Sequence, residues 1–331
     1  MRSDPIPGPA GRPRTAASPT GASCDLCVGD QHAVVVELGA GLRSYSVGGR
    51  SILDGYEPSE PCTSGRGQLL LPWPNRLRDG KYRFQGRELQ LPLSEPERSN
   101  AIHGLTRWSS WTLVEQTPER AVLACVIYPQ EGYPFTLSLT VGYVLSATGL
   151  SVRLTATNIG SEPCPYGAGA HPYIAVGQGS VDVAMLQVPA SAVLVNDERA
   201  IPVGSKPVEG TLNDFRELRA IGEVCLDTCF TGLARASDGL ARVLVRDGSG
   251  SWTTVLWMDE SFPFVMVFTG DTLGNPLERR RGIAVEPMTC APNAFNSGDG
   301  LRVLEPGEST SGAWGIDPFG GLCVDDPRSR R

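Results

Sequence analysis

One alternating segment constrains the fold of this chain more than any other feature. In residues 135–145 the odd-numbered positions are all apolar, and four of the five positions between them are polar or small. A period of two predicts a β-strand with one buried face. Residues 150–156 alternate in the same way, and Ser-Ala-Thr-Gly at 146–149 predicts a hairpin turn between the two strands.

The rest of the chain follows a similar pattern. Further short strands, bounded by Gly, Pro, Asn or Asp, are predicted at 34–38, 82–84, 111–115, 121–127, 181–188, 240–245, 253–258, 264–268 and 283–286. One short helix is predicted at 213–219, with Thr211 or Asn213 as its N-cap. No linker and no internal repeat interrupts the pattern. We therefore expect an all-β fold, a large antiparallel β-sandwich.

The same pattern predicts the domain boundaries. We expect a single folded domain over residues 23–319. Residues 1–22 are rich in Pro, Gly, Ala and Arg, so a disordered N-terminal tail is predicted there. Residues 320–331 are expected to form a short C-terminal tail.

The charge balance argues against one class of partner. The 331 residues include 29 basic and 36 acidic side chains, a net charge of −7. Non-specific nucleic-acid binding needs a basic surface, so no nucleic-acid partner is expected. No run of eighteen apolar residues is present, and we expect no membrane span. The N-terminus lacks the apolar stretch of a signal sequence, so a cytoplasmic location is predicted.

The nine cysteines are scattered and odd in number, which is typical of reduced thiols in a cytosol. Cys24 and Cys27 form a lone CxxC pair. A zinc site would need a second pair of ligands, and the spacing of Cys225 and Cys229 is unsuitable for one. We expect no metal.

A proline-rich segment presents the first candidate binding residues. In the sequence Leu-Pro-Trp-Pro-Asn-Arg at 71–76, two prolines stiffen a loop that carries Trp73, Asn75 and Arg76. An indole offers a flat apolar face, and a guanidinium offers a fixed fork of donors. Together they suit a polyhydroxylated ligand, although a surface turn with a buried Trp fits the segment equally well.

Two histidines lie among small residues. His103 precedes a glycine, and His171 follows the Gly-Ala-Gly-Ala of 167–170 and precedes Pro172. Small residues allow close approach of a ligand, and a following proline restricts the histidine backbone. Both patterns favour a side chain directed at a ligand, with an ordinary turn as the alternative.

Two carboxylates complete the candidate set. Glu286 ends an apolar strand and precedes Pro287, so it is expected to be desolvated. Desolvation raises the pKa of a carboxyl group and makes it a better base near neutrality. A glutamate at the rim of the sheet is the alternative. Asp227, between apolar neighbours, is a weaker candidate that either binds hydroxyls or caps a turn.

Taken in order, these segments resemble the aldose 1-epimerase (galactose mutarotase) family. The matching segments are Asn75-Arg76, Asn100-Ala101-Ile102-His103-Gly104, Ala170-His171-Pro172-Tyr173, Leu226-Asp227 and Val285-Glu286-Pro287. The resemblance runs from about residue 34 to residue 315, and residues 210–216 resemble a further family landmark. It implies the β-sandwich of galactose mutarotases, which agrees with the strand pattern.

The resemblance also implies roles. His171 would be the general acid, Glu286 the general base, and His103 would orient the sugar near its ring oxygen. The predicted substrate-binding residues are Arg76, Asp227, Asn75, Trp73 and Tyr173. The expected activity is interconversion of the α- and β-anomers of a hexose such as glucose or galactose, by a monomer or homodimer. This chemistry needs only an acid and a base, so no cofactor is expected.

The identity of the sugar stays open at this point. Residues 71–74 and 95–98 differ from the best-known galactose enzymes. One alternative is a sugar-binding protein without turnover. A second is an epimerase for a phosphorylated or sulfonated sugar, with Arg76, Arg78 and Arg107 available for the anion. A third is a glycoside hydrolase, which would need two carboxylates that flank the bond, Glu286 and Asp227.

Overall fold

Strands make up nearly all of the regular structure. The computed structural model describes residues 18–320. The first strands are β1 (Ser23–Val28), β2 (Gln31–Val36), β3 (Leu42–Val47), β4 (Arg50–Ser51), β5 (Leu69–Leu70), β6 (Arg76–Arg78), β7 (Lys81–Phe84), β8 (Arg87–Gln90) and β9 (Asn100–Ile102). The next are β10 (Thr112–Gln116), β11 (Arg120–Ile127), β12 (Leu137–Ser146), β13 (Gly149–Asn158), β14 (Cys164–Tyr166), β15 (Gly169–Ala170), β16 (Tyr173–Ala175), β17 (Met185–Gln187) and β18 (Ala190–Asn196). The last are β19 (Pro202–Pro207), β20 (Arg219–Ala220), β21 (Asp227–Leu233), β22 (Ala241–Arg246), β23 (Thr253–Met258), β24 (Phe264–Phe268), β25 (Gly282–Met288), β26 (Arg302–Leu304) and β27 (Ser309–Asp317).

Helical structure is confined to short segments in the described part of the chain. The α-helix α1 covers Ala294–Ser297, and 3₁₀ turns cover Pro96–Arg98, Val181–Val183 and Pro276–Glu278. The predicted strand at 181–188 is therefore wrong over its first half, and only Met185–Gln187 forms a strand.

The helix predicted at 213–219 is also wrong. The Thr211 hydroxyl accepts the Asn213 amide at 3.1 Å, and the Asp214 carbonyl accepts the Arg219 guanidinium at 2.8 Å. These side-chain bonds give the backbone an alternative to the helical pattern, and burial of Phe215 holds the resulting turn in place.

The predicted hairpin is the centre of the larger sheet. β12 and β13 pair in antiparallel register from Leu137↔Asn158 to Ser146↔Gly149, and the side chains of β12 alternate strictly between buried and partly buried up to its last residue. The nine strands of this sheet run in the order β10-β11-β12-β13-β27-β23-β22-β17-β20. The alternation read from the sequence is thus the pattern of a sheet with one face in the core.

A second large sheet has eight strands. Its order is β19-β18-β21-β24-β25-β15-β5, and β16 also pairs with β25. Its apolar residues share one hydrophobic cluster with those of the first sheet, for example Val265 and Val285 with Val141 and Trp314. Two large antiparallel sheets around a common core confirm the predicted all-β fold. A four-stranded sheet, β1-β2-β3-β4, lies alongside, with β1 next to β11 and β12.

The N-terminal boundary differs slightly from the expectation. Residues 18–22, assigned to the tail, form a turn that buries Thr20 and donates the Ala22 amide to Glu37 at 3.0 Å. The expectations for residues 1–17 and 321–331 lie outside the described residues. Between residues 18 and 320, no helix has the length and apolar character to cross a membrane.

Trp73 is part of the core. Its side chain is 4% exposed and its ring centroid lies 5.6 Å from that of Phe295. The structure therefore favours the buried-Trp interpretation of the proline-rich segment.

This placement predicts that Trp73→Ala destabilises the fold by about 3–5 kcal/mol, as usual for removal of a buried aromatic ring. Trp108→Ala is the matched control, because Trp108 is 61% exposed; it should change stability by less than about 0.5 kcal/mol. Urea unfolding of both variants measures the difference. Equal small losses in the two would show that Trp73 does not support the core.

Candidate active site

The register of the eight-stranded sheet places the two principal candidates opposite each other. β15 pairs with β25 at Gly169↔Met288, and β16 pairs with it at Tyr173↔Ala284. Both pairs belong to one continuous register, so the residues between the two short strands keep it. His171 therefore faces Glu286 across the interruption at Pro172. Side chains opposite each other in an antiparallel pair lie on the same face.

The same face carries the next row of the site. Asp227 at the start of β21 pairs with Phe268, and Phe268 pairs with Ala284. Ala284 in turn pairs with Tyr173. Because residues two positions apart share a face, this row lies beside the His171–Glu286 row. The sheet thus forms a floor with Asp227 at one side and His171 at the other.

A cavity of about 520 Å³ opens above this floor. Its walls come from loops outside the sheet and from the small β6–β9 pair. The lining residues are Ser64, Asn75, Arg76, Ser94, Glu95, Glu97, Arg98, Ile102, His103, Arg107, His171, Tyr173, Asp227, Phe268, Thr272, Leu273, Gly274 and Glu286. The volume falls within the range of small-molecule sites, and the lining is strongly polar.

His171 and Glu286 form a buried pair. The Nε2 atom of His171 lies 3.3 Å from Oε1 of Glu286. Burial raises the pKa of Glu286 well above its ordinary value, and the nearby Asp227 adds to this while Arg76 opposes it. Burial and the positive charge of Arg107 lower the pKa of His171 to about 3. The surroundings therefore favour the neutral form of each residue, and the pair holds one proton between them.

The pair also has unused hydrogen-bonding capacity. Nδ1 of His171 and Oε2 of Glu286 are buried and have no hydrogen-bond partner in the described part of the chain. An unpaired buried polar atom costs about 1–3 kcal/mol. A ligand in the cavity would supply the missing partners.

His171 is held by stacking. Tyr173 stacks on it with centroids 5.1 Å apart and 14° between the planes, and the Arg66 guanidinium lies 4.7 Å from the centroid of the Tyr173 ring. Gly65 also approaches His171 closely: with φ +73°, an added Cβ there would lie only 3.1 Å from Cδ2 of His171. These contacts restrict the orientation of the imidazole.

His103 is fixed in one tautomer. The Asn75 amide donates to Nδ1 of His103 at 3.2 Å, and the His103 amide donates back to the Asn75 carbonyl at 2.9 Å. Burial, aided by the charge of Arg107, lowers the pKa of His103 well below its ordinary value. A neutral imidazole that accepts at Nδ1 carries its proton on Nε2, so His103 is a hydrogen-bond donor at that atom.

Arg76 is held by two carboxylates. Its Nε donates to Glu95 at 3.1 and 2.9 Å, and its Nη1 lies 3.6 Å from Asp227. Asn100 also donates to Glu95, at 2.9 Å. Glu95 therefore fixes Arg76, while Asp227, whose side chain is 37% exposed, keeps an oxygen accessible from the cavity.

The structure brings together most of the predicted set. His171, Glu286, His103, Arg76, Asp227, Asn75 and Tyr173 all line the cavity, and Trp73 does not. Sequence reasoning missed the role of Glu95, which lies at the start of the 95–98 segment. Its role depends on the isolated pairing of Glu95 with Asn100, which forms only when the short 3₁₀ turn folds, so the local sequence carried no signal of it.

The match to known proteins agrees with this geometry. The sequence profile of the aldose 1-epimerase family matches residues 26–316. This chain belongs to the aldose 1-epimerase family. The resemblance inferred from the sequence motifs is thereby confirmed.

Relatives of this family member have been described in several organisms. It is 37% identical over 290 residues to the uncharacterized protein YihR of Escherichia coli K12. The matched region covers 87% of this chain and 91% of YihR. The fold is similar to that of the GalM/aldose epimerase homologue from C. elegans, with TM-score 0.80, 16% identity and coverage of 90% of this chain and 99% of that one. It is also similar to galactose 1-epimerase from Lactobacillus acidophilus NCFM, with TM-score 0.71, 22% identity and coverage of 87% and 91%. At such identities the two structures support a shared fold.

The buried carboxyl group of this aldose 1-epimerase family member leads to a stability prediction. A group whose pKa is raised by folding contributes stability at low pH, and this contribution is lost as the pH rises through the raised pKa. Glu286→Gln removes that loss. We expect the melting temperature of the variant to exceed that of the wild type by about 2 °C or more at pH 9 and by less at pH 5.

Thermal unfolding at pH 5, 7 and 9 tests this. Glu115→Gln, at a side chain that is 48% exposed, is the control and should show no such trend. A difference for Glu286→Gln that shrinks as the pH rises would contradict the raised pKa.

Proposed function

We propose that this protein is an aldose 1-epimerase that interconverts the α- and β-pyranose forms of an aldohexose. The observation that carries the proposal is the buried pair of His171 and Glu286, fixed opposite each other in a polar cavity. Mutarotation needs one group to take a proton from the C1 hydroxyl and another to give a proton to the ring oxygen. A histidine and a glutamate at this spacing suit those two tasks.

The proton inventory of the pair fits the reaction. One proton is shared by the two residues, and the 3.3 Å contact lets it pass from Glu286 to His171. The pair is then a carboxylate and an imidazolium. Sugar hydroxyls supply hydrogen bonds to the atoms that have none, which favours this charged form over the neutral one.

The chemical step follows from this state. The Glu286 carboxylate accepts the proton of the C1 hydroxyl while His171 donates its proton to the ring oxygen. The bond between C1 and the ring oxygen breaks, and an open-chain aldehyde with a free C5 hydroxyl forms. Rotation about the C1–C2 bond presents the other face of the aldehyde. In ring closure the C5 oxygen attacks C1, His171 takes back the proton of the C5 hydroxyl, and Glu286 returns its proton to the C1 oxygen, so the carboxylate–imidazolium pair is regenerated.

The remaining residues position the sugar. His103 donates through Nε2 near His171, since the two rings meet edge to face with centroids 5.3 Å apart. Arg76 and Asp227 form an adjoining donor and acceptor for sugar hydroxyls. Holding the reacting groups in place lowers the activation barrier, in addition to the effect of the acid and the base.

The alternative of a glycoside hydrolase is less well supported. A hydrolase of the usual kind requires an acid and a second carboxyl group that flank the same bond. Here the partner of Glu286 is a histidine, and Asp227 is engaged with Arg76. We retain the expectation of a monomer or homodimer that acts on a small-molecule sugar.

The first experiment measures exchange between anomers by proton NMR, with and without the protein. Glu286→Gln and His171→Asn should each lower kcat by about two to four orders of magnitude, because neither new side chain transfers a proton near neutral pH. The double variant should be little worse than either one, since the two residues act as a unit.

His32→Asn is the control. The His32 side chain is 45% exposed and bonds to Asp25 at 2.9 Å. It does not line the cavity, so kcat should not change. If Glu286→Gln keeps more than about a tenth of the wild-type kcat, the assignment of the base is wrong.

Arg76→Lys tests the binding role of the guanidinium. Lysine keeps the charge opposite Glu95 but loses the planar fork that binds two acceptors at once. If Arg76 holds the sugar equally well in the ground and transition states, KM rises about tenfold or more and kcat stays within about threefold. Steady-state NMR kinetics over a range of sugar concentrations separates the two constants. A collapse of kcat at unchanged KM would place Arg76 in the chemical step.

A further inference from the structure

We propose that Arg107 is an anion subsite, and that the aldose taken by this protein carries a negatively charged group, a carboxylate, sulfonate or phosphate, on C6. This inference rests on the proposed epimerase function and names its substrate class. It depends on the position of Arg107 in the cavity and on the lack of an ion pair between Arg107 and any carboxylate of residues 18–320.

The other arginines around the cavity are neutralised. Arg76 faces Glu95 and Asp227, and Arg98 lies 3.6 Å from Glu95. Arg78, which the sequence also offered for an anion, pairs with Asp197 outside the cavity. These cations are already committed to acidic side chains of the protein.

Arg66, behind Tyr173, is likewise paired. It lies 3.3 Å from Asp54 and 2.7 Å from Glu278. Arg66, Arg76, Arg78 and Arg98 thus follow one pattern, in which each guanidinium has at least one carboxylate within ion-pair distance.

Arg107 departs from this pattern. It lines the cavity and is partly buried, but within residues 18–320 it forms no ion pair, and its buried Nε has no hydrogen-bond partner. Burial lowers the pKa of Arg107, and the one group that opposes this shift is Cys62. Burial also raises the pKa of the Cys62 thiol to about 11, so near neutral pH the thiol is uncharged and does not balance the guanidinium. A guanidinium in a low-dielectric wall without a carboxylate is a costly arrangement that a bound anion would stabilise.

The main chain fixes Arg107 relative to the catalytic pair. The Gln68 side-chain amide donates to the Arg107 carbonyl at 2.8 Å, and the Gln68 carbonyl accepts the His171 amide at 3.0 Å. Arg107 and His171 are therefore both anchored to Gln68. A rigid attachment is what a specificity-determining residue needs, because little ordering is required when the ligand binds.

The shared anchor at Gln68 places Arg107 on the histidine side of the site. In line with this, the charge of Arg107 adds to burial in lowering the pKa of both His103 and His171, while the pKa of Glu286 responds to Asp227 and to Arg76, whose charge also reaches His103. In the proposed mechanism His171 serves the ring oxygen and Glu286 serves C1. The ring oxygen is bonded to C5, which carries C6. A substituent on C6 is thus the part of the sugar that extends to the histidine side, away from Glu286.

Binding of an anion there has a second effect. The uncompensated charge of Arg107 disfavours the imidazolium form of His171. A negative group beside the guanidinium cancels that effect, so an anionic substrate assists the transfer of the proton to His171. We therefore expect the charged group to improve kcat as well as KM.

The experiment compares four sugars: glucose, glucuronate, glucose 6-phosphate and 6-deoxy-6-sulfoglucose. Anomer exchange is followed by NMR for the wild type, Arg107→Gln and Arg107→Lys. In the wild type, kcat/KM for one or more anionic sugars should exceed that for glucose about 10–100-fold, the range expected for a charge-assisted hydrogen bond. The ranking of the three anions identifies the group.

The variants test the residue. Arg107→Gln should lower the ratio of anionic to neutral kcat/KM by tenfold or more, and Arg107→Lys should retain part of it because the charge remains. Arg120→Gln is the matched control, as Arg120 is 45% exposed and pairs with Glu115 on the surface of β11. It should leave the ratio unchanged.

Two outcomes would overturn the proposal. In one, glucose is turned over as well as or better than all three anionic sugars. In the other, the preference for an anion survives in a folded Arg107→Gln variant. If Arg107→Gln does not fold, the Arg107→Lys variant decides. A ratio of anionic to neutral kcat/KM equal to that of the wild type, together with the same inhibition of both proteins by added inorganic sulfate, would count against the proposal.

Failure of the epimerase function itself would look different. No sugar would then exchange its anomers faster with the protein than without it. Calorimetric titration with glucose and with the anionic sugars would still test the subsite. Binding of an anionic sugar that is tenfold weaker in Arg107→Gln supports the subsite without turnover, and equal binding of neutral and anionic sugars removes it.

Discussion

The site depends on the register between β25 and the interrupted strand β15–β16. Pro172 has no amide hydrogen for the ladder, yet the pairs on either side of the break keep the same register. The break frees His171 from regular pairing while leaving it opposite Glu286. A slip of one residue would turn Glu286 away from the cavity and into the core. The proposed acid and base are therefore positioned by the sheet itself, while loops and the β6–β9 pair supply the walls.

Burial of this pair conflicts with the ordinary rules for a stable core. A carboxyl group and an imidazole with unpaired atoms are buried beside apolar residues such as Met266 and Met288, on the face of β25 opposite the core residue Val285. The cost is limited because the pair is neutral as a whole and shares one proton. The stack of Tyr173 and Arg66 on His171 adds packing and cation–π attraction that partly offset it. Local inconsistency of this kind is expected at a functional site.

The sequence allowed the fold class and most of the site to be predicted, for physical reasons. Period-two alternation is a local property, so the β12–β13 hairpin could be read directly. The motifs around His171 and Glu286 combine small, apolar and proline residues with one titratable group, which few structural roles require. Trp73 was misplaced because a proline-framed indole looks the same whether it faces solvent or Phe295. The helix at 213–219 failed because Thr211 and Asp214 satisfy the backbone of a turn instead.

Residues that act through long-range pairing could not be predicted. Glu95 owes its role to a bridge with Asn100 and to Arg76, nineteen positions earlier in the chain. Arg107 stood among the available cations, but the sequence could not show that its companions find carboxylates and that it does not. The pairing of Arg76 with two acids makes the base side of the cavity electrostatically complete. Arg107, which has no ion-pair partner within residues 18–320, leaves the histidine side with an excess positive charge that an anionic ligand in the cavity would balance. The proposed subsite would therefore orient a charged sugar before any hydroxyl is recognised, because attraction to a charge extends further than a hydrogen bond.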